Sequence, residues 1–370
     1  MRLDFIARCL LSAWLCWVPI EGVRASELRA SRVILVTTDG LRWQEVFQGA
    51  EEALMQKDSG GVRDTNELRR RFWRSTAEER REALFPFLWG TLAKQGQLLG
   101  NPAKGSVIRV TNGRNFSYPG YSEFLTGAAD STIISNAKLP NPNTNVFEWL
   151  ESRPRFRGHV SAVVNWDVIA WVLNAPRSRI PVWTGLELPI NSPTPPEVPA
   201  WVEVAKAGAT PLWKDVIYDT FTAQAALHHM KTAKPRAAYF AFGETDEWAH
   251  DGRYDLYLLA AHNVDRFLAQ LWSWIQQTPG YRDQTALLIT TDHGRGTGAP
   301  RWKNHGAEIE ESGTIWAAVI GPDTAALGER SDKMELTQGQ VAATVAALVG
   351  EDFLGANPRA AAAFPGVIGR

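Results

Sequence analysis

The sequence predicts an α/β fold with a doubly wound, mostly parallel sheet and helices on both faces. Short apolar or β-branched runs alternate along the chain with longer segments of helical periodicity, and this alternation is typical of βαβ units. The predicted strands cover residues 32–38, 106–110, 159–164, 237–242, 286–290 and 314–320. The predicted helices cover residues 84–99, 145–150, 212–231, 254–277 and 338–349.

The composition indicates an ordinary globular protein with a small substrate. The 370 residues carry a formal net charge of −1 and 45% hydrophobic residues, so the chain is long and apolar enough to bury a sizeable core. A nucleic-acid-binding protein would usually show a basic excess, and this chain shows none. A small anionic substrate needs local charge only. The sequence carries no signal of oligomeric state.

The N-terminal residues 1–25 resemble a secretory signal peptide. Arg2 and Arg8 precede an apolar run from Cys9 to Ile20, which is too short to span a bilayer comfortably. A Val-x-Ala pattern ends at Ala25, so we expect cleavage before Ser26. The mature chain would then be secreted or periplasmic, with no cysteine and no transmembrane helix. The alternative is an uncleaved membrane anchor.

The remaining chain, residues 26–370, is predicted to form one domain with a cap-like insertion. Residues 174–211 hold eight prolines and few helix signals, which favours a surface segment over the site. Residues 51–82 are polar and charged, and we expect them to be an exposed excursion from the sheet.

Acidic and imidazole side chains follow three of the predicted strands. In an open α/β sheet, ligands bind beyond the carboxyl ends of the strands, so we expect these side chains to meet at one edge. Asp246 and His250 are four residues apart and would share a helix face. Taken singly, each residue has an ordinary explanation as a turn, cap or loop residue. The candidate ligands are Asp39, Asp246, His250, Asp292, His293 and His305.

The order and context of these residues resemble one known group of enzymes, the alkaline phosphatase superfamily. The nearest resemblance is to its nucleotide pyrophosphatase/phosphodiesterase and phosphoglycerate mutase-like branches. The segments that carry it lie between residues 33 and 306 and read VTTDG, FSYPGYSEFLTG, ETDEWAH, TDHG and NHG. The resemblance implies an alkaline phosphatase-like doubly wound fold and two divalent metal ions. Histidine and carboxylate ligands suit Zn²⁺, and Mn²⁺ is the alternative.

The resemblance also implies a role for each residue. One metal would be held by Asp246, His250 and His305, and the other by Asp39, Asp292 and His293. Ser117 would be the nucleophile, bound to the second metal, and would form a covalent phosphoryl-enzyme intermediate. A bound dication favours the alkoxide of a serine, which is otherwise a poor nucleophile. A helix beginning near Pro119 would offer free amides to the phosphoryl anion, and Ser117 also suits the cap of that helix.

The loop after Ser117 bears on the choice among branches. Sulfatases of this superfamily need an arginine at the position of Tyr121, and the diesterase branch typically has Thr-Phe-Pro-Asn-His where this chain has Ser-Tyr-Pro-Gly-Tyr. Asn136 corresponds to the asparagine that holds a phosphoryl oxygen in the diesterases, and Arg114 and Asn115 are alternatives. Tyr118, Tyr121 and several tryptophans are candidates for an apolar wall beside a diester.

These observations predict an exported two-metal hydrolase of phosphoric esters, either a phosphodiesterase or a phosphatase, acting on a small-molecule phosphoester. The alternatives are a phosphoryl transferase or mutase-like enzyme, a sulfuric ester hydrolase without formylglycine, and a binding protein that keeps the fold without catalysis. The complete ligand set argues against the last alternative.

Overall fold

The computed structural model describes residues 28–369, and the predicted signal peptide lies outside these residues. The strands are β1 (Arg32–Thr38), β2 (Gln97–Leu99), β3 (Ser106–Arg109), β4 (Val160–Val164), β5 (Val182–Trp183), β6 (Ala237–Phe242), β7 (Thr285–Thr290), β8 (Thr314–Ile315), β9 (Ala317–Ile320), β10 (Gly328–Glu329) and β11 (Met334–Thr337). The helices are α1 (Trp43–Gln48), α2 (Lys57–Gly60), α3 (Thr65–Phe72), α4 (Ala77–Leu84), α5 (Ala93–Gln95), α6 (Ser117–Thr126), α7 (Val146–Ser152), α8 (Ile169–Val172), α9 (Ala175–Ser178), α10 (Ala200–Gly208), α11 (Asp219–Thr232), α12 (Glu244–His250), α13 (Tyr254–Gln277), α14 (Gln340–Ala347) and α15 (Phe353–Ala356). A π-helical turn covers Leu88–Leu92, and 3₁₀ turns cover Glu52–Leu54, Pro102–Lys104, Arg301–Lys303 and Glu310–Gly313.

The main sheet has eight strands in the order β10-β2-β9-β7-β1-β6-β4-β5. The five strands from β7 to β5 are all parallel, and β9 runs antiparallel to both of its neighbours. A second sheet of three strands has the order β11-β3-β8. The predicted α/β class and the mostly parallel sheet are confirmed.

Helices cover both faces of the main sheet because alternate side chains of each strand point to opposite sides. On β1, Ile34 and Val36 belong to a core that includes Phe267 from α13. Val33 and Leu35, which alternate with them along the strand, belong to a second core, which is built with α6, α7 and α14. A sheet that is buried on both faces requires near-continuous apolar strands, as the sequence of β1 shows.

Three predicted elements are wrong in part. The predicted helix over residues 84–99 passes through the π-helical turn and α5 and ends in strand β2. The predicted strand over residues 314–320 divides at Trp316 into β8 and β9, which lie in different sheets. The predicted helix over residues 212–231 begins only at Asp219, because the residues before it form an isolated bridge between Val216 and Trp166, which lies two residues after β4.

The two segments predicted to be excursions have different structures. Residues 51–82 form α2, α3 and most of α4. Most of them are exposed or half-buried, as expected, but Leu68 and Phe72 are buried in the core. Residues 174–211 contain α9, β5 and α10, and β5 extends the main sheet by pairing with β4. Among the described residues, none of the helices combines the length and the apolar character that a membrane crossing requires.

Candidate metal centre and nucleophile

Three neighbouring strands deliver the acidic and imidazole groups to one edge of the main sheet. Strand β1 ends directly before Asp39, β7 ends two residues before Asp292, and β6 leads into α12, which carries Asp246 and His250. Because β7, β1 and β6 are adjacent and parallel, their carboxyl ends lie side by side. His305 joins them from the loop that follows the 3₁₀ turn Arg301–Lys303.

One group of potential ligand atoms consists of Asp246, His250 and His305. Nε2 of His250 lies 3.2 Å from Oδ2 of Asp246 and 3.0 Å from Nε2 of His305. Nε2 of His305 lies 3.6 Å from Oδ1 of Asp246. These three side chains are therefore close enough to bind a single ion.

A second group consists of Asp39, Asp246 and His293. Nε2 of His293 lies 3.3 Å from Oδ1 of Asp39 and 3.3 Å from Oδ2 of Asp292. The same nitrogen lies 3.9 Å from Oδ1 of Asp246. All six sequence-predicted ligands thus lie together, and the carboxylate of Asp246 belongs to both groups instead of one.

The donor set fits divalent cations. The Nδ1 atoms of His293 and His305 lie 2.9 and 3.1 Å from the carbonyl oxygens of Gly294 and Asn115. A carbonyl can only accept a hydrogen bond, so Nδ1 carries the proton and the lone pair of Nε2 faces the centre. Oδ1 of Asp39 and Oδ2 of Asp292 are buried, and neither accepts a hydrogen bond from any described residue. Such orphaned carboxylate oxygens are suited to a metal ion.

The electrostatics of the protein alone are unfavourable at this centre. Burial, together with the charge of Asp246, raises the pKa of Asp39 well above its usual value. Burial and the charge of Asp39 raise the pKa of Asp292 in the same way. Burial and the neighbouring His293 lower the pKa of His305. Bound cations would relieve both the repulsion among the carboxylates and their burial without a partner.

Asp246 differs from Asp39 and Asp292 because the buried side chain of Arg295 contacts it. Burial acts to raise the pKa of Asp246, but Arg295 and the neighbouring histidines outweigh it and hold that pKa well below its usual value. The guanidinium of Arg295 is 1% exposed, contacts Oδ1 of Asp246 and donates to the carbonyl of Lys303. Sequence reasoning missed Arg295, although its position directly after the TDHG segment was a usable signal.

Ser117 opens helix α6 beside the second group. Its hydroxyl oxygen lies 3.5 Å from Nε2 of His293, and the residue is 6% exposed. Gly120, one helical turn later, faces the backbone of Asp292: a Cβ there would lie 2.5 Å from the carbonyl oxygen of Asp292. Glycine is therefore required where the sequence departs from the asparagine of the diesterase pattern, because helix α6 approaches the Asp292 loop so closely.

Tyr121, the second residue that departs from the diesterase pattern, contacts the candidate ligand Asp39 and does not line an apolar wall. Its ring is fully buried, and its hydroxyl donates a hydrogen bond to Oδ2 of Asp39 at 3.0 Å. The expectation that Tyr121 lines an apolar groove is therefore wrong. Tyr118 is also buried, and its hydroxyl donates to the carbonyl of Leu139.

The three predicted substrate-binding residues have different surroundings. Oδ1 of Asn136 accepts a hydrogen bond from the backbone N–H of Tyr118 at 2.9 Å, so Asn136 lies beside the residue that follows Ser117. The helix begins at Ser117, before the expected start near Pro119, and the amide of Tyr118 in its first turn is occupied by this contact. Asn115 is buried with a left-handed φ of 52° and presents its carbonyl to His305. Arg114 is exposed three residues before Ser117.

The fold is similar to that of solved structures of an alkaline phosphatase and of a lipoteichoic acid synthase. The crystal structure of wild-type alkaline phosphatase PafA matches it with a TM-score of 0.55 at 10% identity, over 93% of this chain and 99% of that chain. The lipoteichoic acid synthase LtaP from Listeria monocytogenes matches with a TM-score of 0.51 at 10% identity, over 88% of this chain and 73% of that chain. At these identities the likeness concerns the fold alone. A comparison with curated proteins gave no match.

Residues 51–312, more than half of the chain, match the model of the family described as type I phosphodiesterase / nucleotide pyrophosphatase. The chain belongs to this family, and the predicted resemblance is confirmed. It is a phosphoester hydrolase with candidate metal-binding groups at the carboxyl edge of its sheet.

Proposed function

We propose that the chain is a phosphodiesterase that works with two divalent cations, Zn²⁺ in the first instance and Mn²⁺ as the alternative, and with Ser117 as its nucleophile. The proposal rests on the short distance between two imidazole nitrogens. The Nε2 atoms of His250 and His305 lie 3.0 Å apart and both face Asp246. Two imidazoles and a carboxylate in that arrangement are the ligand types that zinc prefers.

The residues divide into two ligand sets, and one carboxylate lies close to both. One cation would be held by Asp246, His250 and His305, and the other by Asp39, Asp292 and His293, with Asp246 close to both. The cations would lower the pKa of the serine hydroxyl and balance the charge of the phosphoryl oxygens.

The covalent steps belong to Ser117. Its Oγ attacks the phosphorus of the diester, and the bond from phosphorus to the leaving alcohol breaks, so that a phosphoserine ester and a free alcohol are formed. Water then attacks the same phosphorus, the bond to Oγ breaks, and a phosphate monoester leaves with Ser117 restored. The amide nitrogen of Asn136, whose oxygen is held by Tyr118, is our candidate donor to a phosphoryl oxygen.

A diester is favoured over a monoester because two basic side chains are already paired with carboxylates of the protein. A monoester brings an additional negative charge that an arginine or lysine must balance. The guanidinium of Arg295 is held by Asp246, and the ammonium group of Lys138 lies 2.5 Å from Asp167. Arg114, which is exposed, is our candidate for contact with the non-reacting part of the substrate.

The test compares substrates on the purified chain with a measured metal content. We expect two Zn²⁺ per chain and a kcat/KM for bis-p-nitrophenyl phosphate that exceeds the value for p-nitrophenyl phosphate. p-Nitrophenyl sulfate and an alcohol acceptor test the sulfuric ester and transferase alternatives in the same assay. A chain with two ions bound that cleaves none of these phosphate esters would refute the proposal.

Two variants separate the nucleophile from the ligands. Ser117→Ala should abolish turnover and retain both ions, whereas His250→Ala should lose one ion per chain. Substantial turnover by Ser117→Ala would remove the nucleophile assignment, and an unchanged metal content in His250→Ala would remove the ligand assignment.

Export is also proposed, from residues 1–25 alone. Expression of the full chain in a Gram-negative host, followed by cell fractionation and N-terminal sequencing, should give a periplasmic protein that begins at Ser26. Recovery of the intact N-terminus in the membrane fraction would favour the uncleaved anchor.

A further inference from the structure

Glu123 is a buried carboxylate on α6, two turns after Ser117, with no role in the proposed chemistry. Its side chain is fully buried. Among the described residues, neither lysine nor arginine forms an ion pair with it, so hydrogen bonds alone balance its charge. A buried carboxylate without a cation is costly, and it needs a full set of hydrogen-bond donors.

The donors come from the loop that connects β3 to α6. The backbone N–H of Thr111 lies 3.1 Å from both carboxylate oxygens, and its hydroxyl donates at 2.7 Å. The backbone N–H and side-chain amide of Asn112 donate at 2.9 and 3.0 Å. One carboxylate thus accepts from four groups on two successive residues, which fixes the start of the loop.

Asn112 connects Glu123 to the rest of the loop through further hydrogen bonds. Its Oδ1 accepts hydrogen bonds from the backbone N–H groups of Arg114 at 2.8 Å and Asn115 at 3.2 Å. These contacts hold the left-handed conformation of Asn115, a backbone region that is sparsely populated outside glycine. The direction of the carbonyl of Asn115 is therefore set by Asn112 and, through it, by Glu123.

The carbonyl of Asn115 is the partner of Nδ1 of His305. This contact selects the tautomer of His305 that directs Nε2 towards His250 and Asp246. The continuous series of hydrogen bonds consists of Glu123, Asn112, Asn115 and His305. The same loop leads directly into Ser117, so one carboxylate holds both a metal ligand and the nucleophile helix.

We propose that Glu123 is a positioning residue that orients His305 for metal binding through the loop of residues 111–115. The inference rests on the proposed function, because it assumes a cation at the Asp246–His250–His305 group. Glutamine cannot replace Glu123 without loss, because its side-chain NH₂ group would face the donors of Thr111 or Asn112.

The experiment measures metal affinity on the intact chain of wild type, Glu123→Gln and Asn112→Ala. Zinc is titrated against a chromophoric chelator, and the absorption of Co²⁺-substituted protein reports the number of nitrogen ligands. Asp265→Asn is the matched control, because Asp265 is a buried carboxylate on α13 that accepts from the backbone N–H groups of Phe87 and Leu88, away from the centre.

We expect Glu123→Gln to weaken one of the two zinc-binding steps about 10-fold to 100-fold and to change the Co²⁺ spectrum, while the other step is unchanged. Asn112→Ala, a change in a partly exposed loop, should weaken the same step and so supports the inference if Glu123→Gln folds poorly. The value of kcat should fall more than KM rises. Asp265→Asn should bind zinc as wild type does.

The possible failures can be distinguished. If Glu123→Gln and Asn112→Ala bind both zinc ions with wild-type affinity while wild type holds two, the inference is wrong and the proposed function stands. Equal weakening of both steps in the two variants and in Asp265→Asn would indicate general destabilisation and would also overturn it. A wild-type chain that binds no metal overturns the proposed function and this inference together.

Discussion

The close approach of helix α6 to the Asp292 loop makes Gly120→Ala an informative change. The new Cβ would lie 2.5 Å from the carbonyl oxygen of Asp292, 3.1 Å from its carbonyl carbon and 3.3 Å from its Cβ. Ordinary contact begins at 3.4 Å, so the helix and the loop must separate by 3.4 − 2.5 = 0.9 Å. Both groups are backbone, which leaves no side chain to rotate away.

Two opposing effects determine the stability of Gly120→Ala. Alanine in place of glycine within a helix stabilises by about 1 kcal/mol. Overpacking of a well-packed core costs about 1–3 kcal/mol. The net loss in free energy of unfolding should therefore be about 1 kcal/mol, which a large hydrolase tolerates. The catalytic effect should be greater, because a misplacement of about 1 Å lowers the rate about 100-fold.

The assay pairs kcat for bis-p-nitrophenyl phosphate with thermal unfolding and zinc content. Gly90→Ala is the matched control, because it is also a helical glycine and a Cβ there meets no atom within 4 Å. Gly90→Ala should keep wild-type kcat and gain slightly in stability. If Gly120→Ala folds, holds its zinc and keeps wild-type kcat, then the spacing between Ser117 and Asp292 does not control the reaction.

Three further perturbations test the surroundings of the site. Tyr121→Phe removes the donor to Oδ2 of Asp39 and should lower zinc affinity about 10-fold in a chelator titration. Arg42→Met leaves the fully buried Glu45 without its cation and should lower the free energy of unfolding by about 3–5 kcal/mol in urea. Burial raises the pKa of Asp265 to about 7. Because the folded chain then keeps a proton that the unfolded chain releases near pH 4, wild type should lose stability relative to Asp265→Asn as pH rises from about 4 to 7.

Each expectation has a clear contrary result. Unchanged zinc affinity in Tyr121→Phe would mean that Asp39 needs no orienting donor. A loss below about 1 kcal/mol in Arg42→Met would mean that water reaches Glu45. Parallel stability curves for wild type and Asp265→Asn between pH 4 and 7 would mean that Asp265 is ionised throughout.

The sequence predicted the fold class and the position of the candidate ligands because both follow from local patterns. Apolar strands buried on both faces are visible as continuous runs, and the residues directly after them must lie at one edge of a parallel sheet. Asp39, Asp246 and Asp292 were found in this way. The longest helix, Tyr254–Gln277, was also predicted with its observed bounds because its apolar periodicity is unbroken.

What the sequence could not provide depends on contacts between distant segments. The division of residues 314–320 into two strands follows from Ile315 pairing with Ile108 in one sheet and Ala317 pairing with Thr290 in the other. Arg295 contacts Asp246 across 49 positions of sequence, so its place after the TDHG segment does not show which carboxylate it contacts. The close approach at Gly120 is likewise visible only once α6 and β7 are packed together.

The short strand β5 has a consequence for the mobility of the proline-rich segment, residues 174–211. The proline-rich segment is joined to the sheet by β5, and the isolated bridge of Val216 with Trp166 follows it. Within it, the indole of Trp183 donates to Glu203, and Val202 is fully buried. A segment secured in this way cannot swing as a hinged lid without breaking sheet hydrogen bonds.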